Sequence, residues 1–298
     1  MKKLLVCLTA ACLLFTSCIP VPDPENKTPA SNTETNNQTT GQQGENGDEE
    51  SEVISDKLPE GFTLEGKDGA TFFYSAKNKT ITLSETEASE YTLSGNFEGQ
   101  IVVKADDTVI NLNNANLSNT DAPVIISDFK FEVSAKKDST NTITTTGNIN
   151  SENKIGAVTG EKRIKIGGGG TLDISCSVYH GVKSKKTVEV KGGGIFTISG
   201  TIEGSAINCD NFEVEADRTF TLNLKDSKNG VKADKNINIL SGTFNLKNLK
   251  TGFKTDKFKD DGENHYINIE GATVDHSTIT DTKFILTDTD PVTPPVES

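Results

Sequence analysis

Tryptophan is absent from the 298 residues, methionine occurs once, and four tyrosines stand against 14 phenylalanines. Flat aromatic platforms that combine an apolar face with a polar tip are therefore scarce. Arginine is nearly missing as well: Arg163 and Arg218 accompany 28 lysines, which leaves little planar, bidentate recognition of phosphate. Formal charge is −13, and loss of Lys2 and Lys3 with a cleaved leader would make it −15, which argues against nucleic acid and against adsorption to anionic lipid. The three histidines, His180, His265 and His276, show no zinc-ligand spacing, and no Gly-x-Ser-x-Gly elbow accompanies them. Of five cysteines, Cys7, Cys12 and Cys18 belong to the N-terminal leader region. Cys176 and Cys209 remain, in different columns of the repeat described below, and their spacing fits no metal motif. A disulfide and two buried thiols are both open for them. After the leader no segment shows a helical period of 3.6 over a useful length.

What is present first is a leader. Residues 1–18, MKKLLVCLTAACLLFTSC, combine a charged start, an apolar stretch too short to span a bilayer, and small residues before a cysteine. They resemble a bacterial lipobox, with Phe15 where leucine is usual, which predicts export and acylation of Cys18, palmitate included. Ile19 after the cysteine favours the outer membrane in a cell with two membranes. Residues 19–55 hold few large apolar groups and many Asn, Thr, Gln, Glu and Pro, the composition of a disordered tether, and 288–298 read as a disordered tail. Residues 56–287 remain for one core domain.

Within that domain a period recurs. Val158, Val182, Ile207, Val231 and Phe253 are separated by 24, 25, 24 and 22 residues. After each anchor come two further alternating runs: Ile164/Ile166, Val188/Val190, Phe212/Val214 and Ile237/Ile239, then Leu172/Ile174, Phe196/Ile198, Phe220/Leu222 and Phe244/Leu246, the last column stepping by 24 throughout. Glycine and asparagine punctuate the runs as turn residues. Three short strands per unit, none able to bury its face alone, predict an all-β, right-handed parallel β-helix of about 22–25 residues per coil. An antiparallel sandwich would not explain constant columns. Earlier runs (Ile101/Val103, Val109/Leu112, Phe131/Val133) read as wider first coils. Residues from about 57 to 89 read as a β cap over an otherwise open strand edge.

The stretch from Tyr91 to Gly147, and the units that follow (GGGTLDIS, HGVKSKKTVEVKGGGIFTIS, NGVKADKNINILSGTFNL), resemble a bacterial carbohydrate-binding family that folds as a right-handed parallel β-helix similar to pectate lyases. The resemblance implies calcium and plant-type polysaccharides such as cellulose and polygalacturonate as ligands, with no catalysis. That family's coils typically carry Asp-Gly-Ile, whose aspartate suits calcium. The matching positions here are His180-Gly181-Val182, Ser205-Ala206-Ile207, Asn229-Gly230-Val231 and Thr251-Gly252-Phe253, all without it.

Stacked coils turn single residues into columns about 4.8 Å apart. One place after the anchor stand Thr159, Lys183, Asn208, Lys232 and Lys254; three places after it stand Glu161, Lys185, Asp210, Asp234 and Asp256. Asp210, Asp234 and Asp256 are candidate calcium ligands, with Asp260, Asp261 and Glu263 in the following acidic insertion; the alternative is a solvated ladder offset by the lysines. Lys183, Asn208, Lys232 and Lys254, with Tyr179, are the candidate contacts to an acidic or plant-type polysaccharide. Arg163 precedes a strand of the second column and Arg218 one of the third, away from the acids, so no lyase base is in place and no enzyme is expected. The expectation is a monomeric, lipid-anchored surface protein that binds polysaccharide, or else a rigid adhesive rod that contacts a protein partner.

Overall fold

An extended chain that alternates apolar and polar residues carries one dry and one wet face, and must find a partner for the dry one. In the computed structural model, which describes residues 57–83, 89–148, 154–255, 265–277, 279 and 285–286, the partners are the preceding and following coils. The leader with Cys18, the tether, the tail, Asp256 and residues 257–264 lie outside the described residues.

Each coil contributes a strand to three parallel sheets. The first sheet runs through Thr80–Leu83, Gln100–Val103, Ile125–Ser127, Gly156–Gly160 and His180–Ser184, then through parts of Ser205–Val214, Thr221–Ile239 and Thr243–Thr255. The second includes Phe131–Ala135, Ile164–Gly168 and Thr187–Val190, and the third Thr140–Thr146, Thr171–Cys176 and Ile195–Ser199. The anchors pair as expected: Val158 with Val182, Val182 with Ile207, Ile207 with Val231, Val231 with Phe253. The second-column pairs likewise stack.

The third column corrects the expected register. Phe196 and Ile198 pair with Leu222 and Leu224, which pair with Phe244 and Leu246, so the steps are 24, 26 and 22 and Phe220 falls outside the strand. A slip of two keeps every side chain on its face, so alternation alone cannot detect it. Two extra residues are taken up before Thr221 by a turn in which Asp217 has φ 61°. Phe220 remains buried, its ring 6.2 Å from Phe196 and 5.7 Å from Phe244, and it packs against Gly242 so closely that a Cβ there would lie 2.6 Å from the ring. In the early coils the inward pair is Ile110/Leu112, with Val109 facing outward; the chain between Val109 and Leu112 simply carries one more residue than strict alternation allows for the pair expected.

The N-terminal end is closed by antiparallel pairing. Phe62–Gly66 runs against Tyr91–Gly95, and Phe72–Ser75 against Thr80–Leu83, which blunts the edge that parallel coils would leave. Phe62 and Tyr74 place their rings 5.0 and 6.2 Å from Phe97, and the Tyr91 hydroxyl donates to the Thr71 carbonyl at 2.6 Å.

Phe244 meets Phe212, Phe220 and Phe253 within 6.5 Å and is fully buried, whereas Phe73 is 44% exposed on the cap. Phe244→Ala should therefore cost about 3–5 kcal/mol in urea unfolding, and Phe73→Ala less than about 0.5 kcal/mol; equal losses would contradict this core.

Candidate functional site

The first sheet passes into the second at a corner built from short turns, and those turns stack as the strands do. The Glu161 N–H donates to the Ser127 carbonyl (2.9 Å) and the Lys185 N–H to the Gly160 carbonyl (3.0 Å). The buried Ser184 hydroxyl donates to the Lys162 carbonyl (2.7 Å) and accepts the Lys186 N–H (3.0 Å), which fixes the turn that carries Lys185 and Lys186. On the first sheet Thr159, Lys183, Asn208, Lys232 and Lys254 stand in register, pointing outward, as the spacing predicts.

These elements enclose an open depression of about 410 Å³. Lys183 and Asn208 from the strand column line it, together with Glu161 and Lys186 from turns and Asp210 and Asp234 from the strands that run through the corner in the next two coils. Lys232 stands beside it and pairs with Asp234 at 3.3 Å. Lys254 and Tyr179 do not line it; the Tyr179 ring packs edge-on against His180, 4.5 Å away, and its backbone carbonyl accepts the Thr201 N–H. Lys186 was not singled out by the column reading, since it lies in the turn, where strand alternation gives no direction; only the KSKK run hinted at a basic corner.

The carboxylates are neutralised by lysine. Glu161 pairs with Lys185 (2.7 Å), Asp210 with Lys186 (3.6 Å) and Asp234 with Lys232. Among the described residues no three acidic, histidine or cysteine side chains gather as a metal site would require. Calcium wants six or more oxygens converging on it, and Asp256, Asp260, Asp261 and Glu263, the other expected ligands, lie outside the described residues. The positions where Asp-Gly-Ile would place its aspartate are turned inward: His180, Ser205, Asn229 and Thr251 are all buried. They form a polar ladder, with the Ser205 N–H donating to His180 Nδ1 (3.1 Å) and Asn229 Nδ2 to the Ser205 hydroxyl (3.1 Å).

Lys183 is the cation left over. Its ammonium donates to the Lys154 carbonyl, and among the described residues it forms no ion pair. Burial, then the neighbouring Lys185, holds its pKa below the ordinary lysine value despite attraction by Glu161. A partly desolvated ammonium without a carboxylate is ready to take one from a ligand.

The arginines are engaged elsewhere. Arg163 reaches Glu189 (3.4 Å) and Glu213 (3.6 Å) on the second sheet, and Arg218 pairs with Glu215. Cys176 and Cys209 are free and buried, and burial pushes both thiols up. Outward side chains of the third sheet are spent on one another: Asn245 donates to Asn223 (2.8 Å) and Asn223 to Thr197 (3.2 Å). The corner differs from that face in carrying charged pairs of partly exposed side chains.

Residues 77–216 match the family model of carbohydrate-binding domain-containing proteins. The matched stretch holds Glu161, Lys183, Lys186, Asn208 and Asp210, but ends before Asp234. A solved structure described as the polysaccharide lyase-like protein from C. thermocellum, as a gadolinium derivative, is similar at 16% identity and a TM-score of 0.46, over 65% of this chain and 84% of that one. No curated protein matches the chain.

His180 lies just beneath this site. Burial, with repulsion from Lys183 and Lys232, lowers its pKa from 6.5 to about 3. Between those values the unfolded chain binds more protons than the native one, so the stability contributed by the neutral ring is complete above about pH 6.5 and drains away as pH falls toward 3. Urea midpoints should fall between pH 7 and pH 4, and His180→Gln should flatten part of that slope, by roughly 1.4 kcal/mol for each pH unit removed. Identical slopes in the two proteins would show that the ring is charged in the native state.

Proposed function

We propose that the protein is an exported, lipid-anchored module that binds acidic polysaccharide at the corner depression and performs no reaction on it. The observation that carries this reading is Lys183, a half-buried cation that forms no ion pair among the described residues, in a depression of glycan-sized volume lined, apart from Asp234, by residues that match a carbohydrate-binding family. Around it, Asn208 offers amide donors and acceptors, and Glu161, Asp210 and Asp234 offer acceptors for hydroxyls. Exposed ion pairs such as these contribute about 0–1 kcal/mol each, so exchanging one for a sugar contact costs little. The scarcity of exposed aromatic rings means that affinity comes from charge and hydrogen bonds, and is therefore modest and sensitive to salt. Acylation at Cys18 and outer-membrane display rest on the leader sequence alone.

Two features support a reading without catalysis. Asp210 and Asp234 stand side by side on adjacent coils rather than facing one another across a cleft, as a pair of hydrolytic carboxylates would. Arg163 is bound to Glu189 and Glu213 instead of projecting over the depression.

Affinity electrophoresis of residues 56–287 through gels that contain polygalacturonate or neutral glycans tests the reading. Retardation by polygalacturonate, weakened about tenfold or more by Lys183→Ala because a charge-assisted bond of about 1.5–3 kcal/mol is lost, is the expected result. Retention of that mobility shift in chelator is expected too, since the lysines already neutralise the acids; loss in chelator would assign the acids to calcium. No retardation in any glycan would favour an adhesive rod.

A further inference from the structure

Beside the corner depression lies a second, smaller pocket of about 110 Å³. Its floor is made by the buried Thr108 and Phe131 and the half-buried Val109, and its rim is basic, with Lys130, Arg163 and Lys165. The two acids at this rim do not cancel these cations. Glu132 is held by Lys191 at 2.6 Å, which reaches across the coil at Gly167, where a side chain would stand in its way. Asp107 is an exposed turn residue with φ 60°, the left-handed geometry that aspartate tolerates, and it forms no ion pair among the described residues.

The cations keep donors to spare. Lys130 is exposed and forms no ion pair among the described residues. Arg163 has five N–H donors; its contacts to Glu189 and Glu213 are long, at 3.4 and 3.6 Å, and its side chain is 41% exposed. Lys165 stands 3.9 Å from Glu189.

The two pockets share one edge of the solenoid. Glu161 lines the larger and Arg163 the smaller, and between them Lys162 folds back to Asp106 (3.4 Å) and over the Phe129 ring (5.3 Å). Lys130 follows strand Ile125–Ser127, while Lys183 belongs to His180–Ser184, two coils further along the stack. That offset is roughly 10 Å along the axis.

We propose that the small pocket is a second anion subsite, which receives one carboxylate of a polyuronate whose other carboxylate is held at Lys183, so that the chain lies along the solenoid axis. This rests on the polysaccharide reading above and adds to it the direction of the chain and the need for repeated charge. The net charge of −13 over the whole chain repels a polyanion and confines it to the places where cations gather with donors to spare. A polymer spans both places; a uronate disaccharide is held at one at a time, so only the polymer gains from tethering the second contact to the first.

The test is isothermal titration of residues 56–287 with polygalacturonate and with galacturonate disaccharide, for the wild-type protein, Lys130→Glu, Arg163→Gln and the double variant. The ratio of polymer to disaccharide affinity should fall about tenfold or more in the double variant, and Arg163→Lys should restore part of it. Lys130→Glu alone, at an exposed turn, should lower the ratio without altering the urea midpoint, which separates binding from any folding defect at Arg163. An unchanged ratio alongside intact polymer binding overturns the second subsite and leaves the first reading standing. No binding of either ligand by the wild-type protein overturns both.

Discussion

Everything in this molecule depends on the in-register pairing of one coil with the next. A single coil has three short strands with a dry inner row, and its backbone N–H and C=O groups point along the axis toward neighbours rather than toward one another. Stacking satisfies both needs together, since the same ladder that pairs the backbone brings Val158, Val182, Ile207, Val231 and Phe253 into one column. Stability is thus shared between adjacent coils, and the antiparallel strands Phe62–Gly66 and Phe72–Ser75 matter because they end the stack on its N-terminal side.

The same pairing organises the polar groups. Because corresponding positions of successive coils stack in register, like residues are brought close, and the surface must resolve the result. On the third sheet this happens by amide and hydroxyl ladders, on the buried polar column by His180, Ser205 and Asn229, and at the corner by alternating lysine with Glu161, Asp210 and Asp234. Part of the acidic composition has a backbone cause instead: among the described residues, apart from Lys79, the non-glycine residues with positive φ are all Asp or Asn, placed in turns or, for Asn114, Asp226 and Asn248, at bends within long strands, where their short side chains tolerate the left-handed conformation. The net negative charge is therefore partly a consequence of turning corners, and the proposed binding edge is distinguished by Lys183 and Lys130, which form no ion pair among the described residues.

How far the chain could be read without its structure varies by element. The anchor and second columns were legible because one strand follows its turn at nearly constant length. The third was misread at Phe220/Leu222 because a two-residue slip preserves the inward phase, leaving no trace in the pattern of apolar residues. The strand column Thr159, Lys183, Asn208, Lys232, Lys254 was legible for the same reason, but only Lys183 and Asn208 of it line the depression, and Tyr179, which lies outside the column, does not. Lys186, Lys130 and Arg163 could not be found that way, since a turn has no period and its side chains are aimed by local bonds such as those of Ser184.

The sequence by itself determined the architecture: a constant period with three alternating runs leaves a stacked solenoid as the arrangement that buries every dry face. Only the tertiary structure decided how the charges meet. Whether an aspartate faces a metal or a lysine depends on which turn lies above it, and the bulge between Cys209 and Asn211 helps set the answer for Asp210 and Asp234. Pairing partners come from different coils about two dozen residues apart, and the direction of each side chain at the corner is fixed by contacts across that gap, so no short stretch of sequence contains the information.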